Sequence, residues 1–220
     1  MSRKLKKDLR ERWSAELDFQ INNGLKKENW KDKEQPNVRW LIQPFGLTEL
    51  GKADFRGFPF REPLKYQYVV EIDFSFSQAI SEKTEGYGFS RGLTGFNNLI
   101  FERCDFIEAD LPANLSEKFI CCDFQGASFN ACRINACFED CDFTNSKLKD
   151  ILVRGKKFIN CNFNKANLSK ANFYSCFFES CSFNETKFSG SNFSGSMFIN
   201  TRPSDSQLAS CSLAEKIKFS

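Results

Sequence analysis

Cys104, Cys122, Cys141, Cys161 and Cys181 are the residues whose type and spacing come nearest to chemistry. Each opens a Cys-polar-Phe triplet, and the intervals between them are 18, 19, 20 and 20 residues. A structural zinc would need four nitrogen or sulfur ligands converging on one point, often from Cys-x-x-Cys pairs. A disulfide would need two Cβ atoms about 3.5–4.5 Å apart at a particular torsion. A nucleophilic thiolate would need a neighbouring base. The chain has ten cysteines but no histidine. Which chemistry is open to the five therefore depends on the elements that hold them, and their spacing identifies those elements.

From Phe138 an apolar residue stands at every fifth position: Phe138, Phe143, Leu148, Val153, Phe158, Phe163, Leu168, Phe173, Phe178, Phe183, Phe188, Phe193 and Phe198. The register extends through Pro203, Leu208 and Leu213. Upstream it slips by one residue between Ile134 and Phe138, then runs back through Phe129, Phe124 and Phe119. An earlier block holds Phe96, Phe101, Phe106 and Leu111, and Ala113-Asn114-Leu115 bridges the two with shortened steps. Two residues before each apolar position the chain is usually Cys, Ala, Ser or Thr. A period of five fits neither a helix nor a strand. It fits a coil of square section, in which each side turns one large and one small side chain inward and three residues outward. Four such sides make a repeat of about twenty residues, and the shorter intervals contain the shortened sides.

The stretch "CNFNKANLSKANFYSCFFESCSFNETKFSGSNFSGS" closely resembles the consensus of the pentapeptide-repeat family, Ala-Asp/Asn-Leu/Phe followed by two variable residues. The resemblance covers about 96–214. It implies an all-β solenoid, a right-handed quadrilateral β-helix rising by the strand spacing of about 4.8 Å per coil. Ala53-Asp54-Phe55 and Ile72-Asp73-Phe74 also lie one coil apart, at 19 residues. The expected organisation is a helix and connector over 1–46, forming a cap. Irregular first coils follow over 47–95, with loops at about 61–67 and 77–92. Regular coils occupy 96–214, and 215–220 is a tail or cap.

Folded into four sides, the register stacks Phe101, Phe119, Phe138, Phe158, Phe178 and Phe198 in one column. Phe106, Phe124, Phe143, Phe163 and Phe183 form the next, ending at Pro203. Each ring is worth about 1.5–3 kcal/mol on burial. The five cysteines become a straight inward ladder beside the second column, where Cys serves as a small hydrophobe. A straight row does not converge on a metal, and Cys121-Cys122 is too close for a clip. Parallel side chains one coil apart do not offer the disulfide torsion, and a thiol packed among rings has no base. The ladder is therefore expected to be packing, reduced and unliganded. Cys121 and Cys137 fall at outward positions and are the expected reactive thiols.

Leu5, Leu9, Trp13, Leu17 and Ile21 are four apart among charged residues, the pattern of an amphipathic helix of about twenty residues. An open β-helix exposes an apolar end and unpaired backbone groups, so this helix is expected to cap it. Pro36 and Pro44 break the connector, and Trp30 and Trp40 are expected to help close the end. The C-terminal "SLAEKIKFS" leaves a last strand, a cap or a homodimer contact open. The N-terminus lacks the apolar core of a signal peptide, and no apolar run reaches the length of a membrane span. With ten cysteines, this points to the cytoplasm, where thiols stay reduced.

There is no Gly-rich phosphate loop, no pair of catalytic carboxylates in a cleft and no nucleophile–base pair. No enzyme activity, cofactor, metal or small-molecule substrate is expected. Function then lies on the flat outer faces. Glu102, Asp105, Glu108, Asp110, Asp123, Glu139, Asp140 and Asp142 form a candidate acidic stripe, placed outward on or beside the two Phe-only sides. Lys147, Lys149, Arg154, Lys156 and Lys157 form a candidate basic cluster, with Lys165 and Lys170 nearby. Lys156 falls where a small inward residue belongs, and a local bulge is expected to turn it outward.

These features favour a non-enzymatic protein-binding scaffold. Direct nucleic-acid binding and membrane binding are not expected, because the basic cluster is modest and the rings face inward. The resemblance implies a second reading, since quinolone-resistance members of the family mimic duplex DNA with an acidic rod and bind DNA gyrase, a type II topoisomerase. Residues 94–213 carry 12 Lys+Arg against 13 Asp+Glu, which is far from an acidic rod.

Overall fold

A side of five residues has room for only two or three in a strand, and so short a strand persists only if the next coil continues its ladder. The computed structural model describes residues 3–17, 21, 43–61, 64–65, 68–80, 95–129, 131–213 and 216–220. In it the chain winds into a four-sided parallel β-helix. Strands Ala53–Asp54 and Ile72–Asp73 pair with Ala53 beside Ile72. In the later coils Phe138, Phe158, Phe178 and Phe198 align, as do Val153 and Phe173. The corner after this side is turned by Asp140, Asn160, Ser180 and Asn200 with φ of 51–52°. That left-handed conformation suits the short polar residues the repeat places there.

The Phe columns fill the axis. In the first, successive rings from Phe101 to Phe198 stack 4.9–5.2 Å apart at 5–14°. In the second, rings from Phe106 to Phe183 stack 4.8–5.3 Å apart at 3–9°. Pro203 is buried at the end of the second column.

The slip near Ile134 has a structural cause. In two successive coils two sides merge into one long strand, Asn114–Ile120 and Arg133–Glu139, whereas the preceding strand, Gly95–Glu102, keeps the extra residue, with a register shift between Phe96 and Leu99 and Asn98 at φ of 56°. The next coil restores the corner. Val153 pairs with Ile134 and Phe158 with Phe138, so four residues, 154–157, oppose three. Gly155 supplies the turn with φ of 62°. The extra residue is the irregularity expected near Lys156, whose side chain is half-buried at this step.

Both ends depart from the sequence pattern. Helix α1 covers only Arg3–Glu11, not about twenty residues. The chain breaks at 12–14, and Ser14 Oγ restarts a turn by accepting from the Leu17 amide at 3.1 Å. The break lets α1 lie along coils 1 to 3. There Lys6 Nζ donates to the Glu108 carbonyl at 2.9 Å and Arg10 Nε to the Phe76 carbonyl at 2.8 Å. Trp13 packs on Phe45, Phe55 and Phe58, and Ile21 is buried in the same core. Trp30, Trp40 and Pro36 lie outside the described residues.

The loops expected at 61–67 and 77–92 are partly strand. Leu64–Lys65 pairs with Phe96 and Asn97, and Gln78–Ala79 pairs with Pro59–Phe60. Residues 81–92 lie outside the described residues. At the C-terminus the five-residue register ends at Pro203 rather than continuing through Leu208 and Leu213. Ser204 and Gln207 form a reciprocal capping box that starts helix α2 (Asp205–Ala209). Lys218–Phe219 then adds a strand beside Met197–Phe198.

Candidate functional site

The ladder cysteines point inward and use their thiols locally. Cys122 Sγ donates to the carbonyls of Phe101 at 3.5 Å and Ile120 at 3.3 Å. Cys141, Cys161 and Cys181 repeat the arrangement one coil later each time. All ten cysteines are free. Burial pushes the Cys104 and Cys141 thiols well above their ordinary range, which keeps them neutral. Among the described residues no three Cys, Asp or Glu side chains gather to hold a metal ion. Cys121 is exposed and Cys137 half-exposed, but burial and the Asp140 charge raise the Cys121 pKa. Cys121 is thus accessible without being an activated thiol. Cys211 is also partly exposed.

The position before each Phe of the second column forms an outward row: Asp73, Asp105, Asp123, Asp142, Asn162 and Ser182 pair coil to coil, and Asp54 precedes them. In all but Asp105 and Ser182 a side-chain oxygen accepts from the amide two residues on. Turn chemistry thus accounts for Asp123 and Asp142 of the acidic stripe.

The N-terminal region neutralises the row's first coils. Arg12 and Arg56 both grip Asp54. Burial raises the Asp54 pKa, but these hydrogen bonds outweigh it and hold the carboxyl well below the ordinary range. Asp105 belongs to this outward row, but it is not exposed: Lys52 covers and pairs with it. Burial dominates there and pushes its pKa up to about 6. Asp123 is raised by burial and by the neighbouring Asp142.

Of the other stripe residues, Asp110 pairs with Arg10 at 3.0 Å and Glu139 with Lys118 at 2.7 Å, while Glu102 pairs with Arg103. Asp140 accepts from Asn160. Glu108 is half-buried. Four of the eight stripe carboxylates therefore carry a cation already.

The basic residues divide differently. Lys147 lies in a row with Asp110, Ser128, Asn167 and Lys187, and Lys149 pairs with Asp150 at 3.7 Å. Arg154, Lys156 and Lys157 lie on the corner where the extra residue enters. The Arg154 guanidinium sits over the Tyr174 ring, 5.1 Å from its centroid. Sequence reasoning missed the apolar residues beside this corner. Lys157 pairs with Phe177, which pairs with Met197, and Ile159 lines up with Glu179 and Ile199. Phe177 is 38% exposed. The signal was present, because Phe177 adjoins Phe178 and only one of two neighbours on a strand can face inward.

Two overlapping segments, 136–173 and 146–184, match the family model for pentapeptide repeats, with 8 copies. No curated protein sequence matches the chain. Among solved structures, a trypsin-treated form of QnrB1, a plasmid-mediated fluoroquinolone resistance protein, aligns at 18% identity with a TM-score of 0.50. The alignment covers 73% of this chain and 84% of that one. HetL, from the cyanobacterium Nostoc and involved in heterocyst differentiation regulation, aligns at 14% identity and a TM-score of 0.27, covering 77% and 90%. A pentapeptide repeat protein of the Arabidopsis thaliana thylakoid lumen aligns at 21% and 0.27, covering 57% and 81%. At such identities the likeness to QnrB1 is one of fold. Residues 136–184 thus carry pentapeptide repeats by the family model, and the coils on either side stack in the same register.

Proposed function

We propose that the protein is a non-enzymatic scaffold that binds another protein through its outer faces, in a reducing compartment such as the cytoplasm. The observation that carries this reading is the filled axis. Six Phe rings stack without interruption from Phe101 to Phe198, so groups able to recognise a ligand lie on the outside. Ladder hydrogen bonds hold those outward rows at fixed spacing, and a rigid flat surface suits a protein partner because little freedom is lost on docking. Among the described residues no helix is long and apolar enough to cross a membrane.

The gyrase reading gains support from the QnrB1-like fold alone. The acidic stripe argues against it, since Arg10, Lys52, Arg103 and Lys118 already occupy four of its carboxylates. Affinity capture from an extract of the source organism tests the scaffold reading. A protein retained in stoichiometric amount, and released by salt, is the expected result. Capture of nothing beyond a chemically unfolded control would refute it. Purified gyrase at low salt, where attraction between charges is least screened, is expected not to bind.

A further inference from the structure

Among the described residues, a group of cations without ion-pair partners sits at the restored corner. Arg133, Arg154, Lys156 and Lys157 take no part in the ion pairs of the described residues. They are contiguous: Leu152, which opens the strand Leu152–Arg154, pairs with Arg133, and Lys156-Lys157 follow on the same turn. Beside them Phe177 and Met197 stand outward on successive coils, flanked by a row in which Glu179 lies between Ile159 and Ile199. Phe177 is more than a third exposed, in a column that elsewhere carries Ile100, Lys118, Cys137, Lys157 and Lys218.

We propose that this corner, from Arg133 to Phe177, is a docking surface for an acidic protein segment that carries an aromatic or aliphatic anchor. The proposal rests on the scaffold reading above. The cations hold the carboxylates of the segment, and the anchor covers Phe177 and Met197. Charge and apolar area side by side select a peptide that has both, since neither a purely acidic nor a purely apolar chain satisfies the whole patch. A single-stranded nucleic acid fits less well. It needs successive open rings for its bases, and here Arg154 already covers one face of Tyr174, leaving Phe177 as the single open platform.

Fluorescence anisotropy with three labelled probes tests the proposal: a peptide of repeating Glu-Glu-Phe, a polyglutamate of equal charge and a single-stranded oligonucleotide of equal charge. The Glu-Glu-Phe peptide is expected to bind at least about tenfold more tightly than polyglutamate. Arg154→Glu with Lys157→Glu is expected to weaken it at least about tenfold, and Phe177→Ser about fivefold, with thermal unfolding unchanged because these side chains face outward. Tighter binding of the oligonucleotide, or binding that ignores the substitutions, would overturn the proposal. The extract capture is repeated with the charge-reversed protein. Equal capture by both forms sinks the docking surface and leaves the scaffold standing, whereas capture by neither sinks the scaffold.

Discussion

Phe143→Ala tests the stacked core where the coils are most regular. Phe143 is fully buried between Phe124, 5.1 Å away, and Phe163, 4.8 Å away, both nearly parallel to it. Phe129 and Phe138 flank it at 5.6 and 5.2 Å. Truncation to Ala in a core costs about 3–5 kcal/mol, and the cost grows as the site fails to collapse. Collapse is obstructed here. The Phe124 amide donates to the Asp142 carbonyl at 2.7 Å and the Phe143 amide to the Asn162 carbonyl at 2.7 Å. The coil spacing is therefore set by the backbone, and the rings above and below cannot close in. We expect a loss in the upper half of that range, measured by urea denaturation followed by circular dichroism. Phe177→Ala is the control: it removes an outward ring and should change stability by less than about 0.5 kcal/mol. A loss below about 1 kcal/mol for Phe143→Ala would refute the column.

Native thiol titration will label Cys121, Cys137 and Cys211 and leave Cys104, Cys122, Cys141, Cys161 and Cys181 unreacted until the protein unfolds; rapid labelling of the ladder would contradict its inward placement. Gly57→Ala will loosen α1, because a Cβ there would lie 2.3 Å from the Leu9 carbonyl oxygen on backbone already at φ +78°. The expected cost is about 2 kcal/mol, with faster proteolysis within residues 3–13, and unchanged proteolysis would contradict the packing of α1. Asp105 gives a pH signature. Its folded pKa, about 6, exceeds its ordinary 3.8, so the folded state binds the extra proton and this group stabilises the fold as pH falls from 7 to 5. Asp54, held low, is ionised in both states over that window and starts to cost stability only below about pH 4. Asp105→Asn is expected to abolish a gain of about 1 kcal/mol between pH 7 and 5; an unchanged pH profile would refute the assignment.

The regular coils were legible because a period of five leaves a mark on every side, and the Phe columns and the Cys ladder follow from it. The slip at Ile134 was visible as a missing residue, but its cause was not: nothing local in Arg133–Glu139 announces a strand that runs straight through a corner. The acidic stripe misled in a specific way. Asp105 and Asp110 are acidic by sequence, yet Lys52 and Arg10, some 53 and 100 residues away in sequence, come down on them. Such long-range pairs leave no periodic trace. The twenty-residue helix failed for a similar reason: the four-residue spacing of Leu9, Trp13 and Leu17 is real, but Ser14 caps a second turn there, so the apolar residues meet two different surfaces.

Photocrosslinking tests the binding reading most directly. A photoreactive amino acid is placed singly at Lys156, Phe177, Asp123 and Asp142, and the protein is irradiated in an extract of the source organism. The account predicts an adduct with one protein at positions 156 and 177 and none at 123 or 142. Adducts confined to 123 and 142 would make the acidic row the binding face, and no adduct at any of the four would contradict a protein partner on these faces.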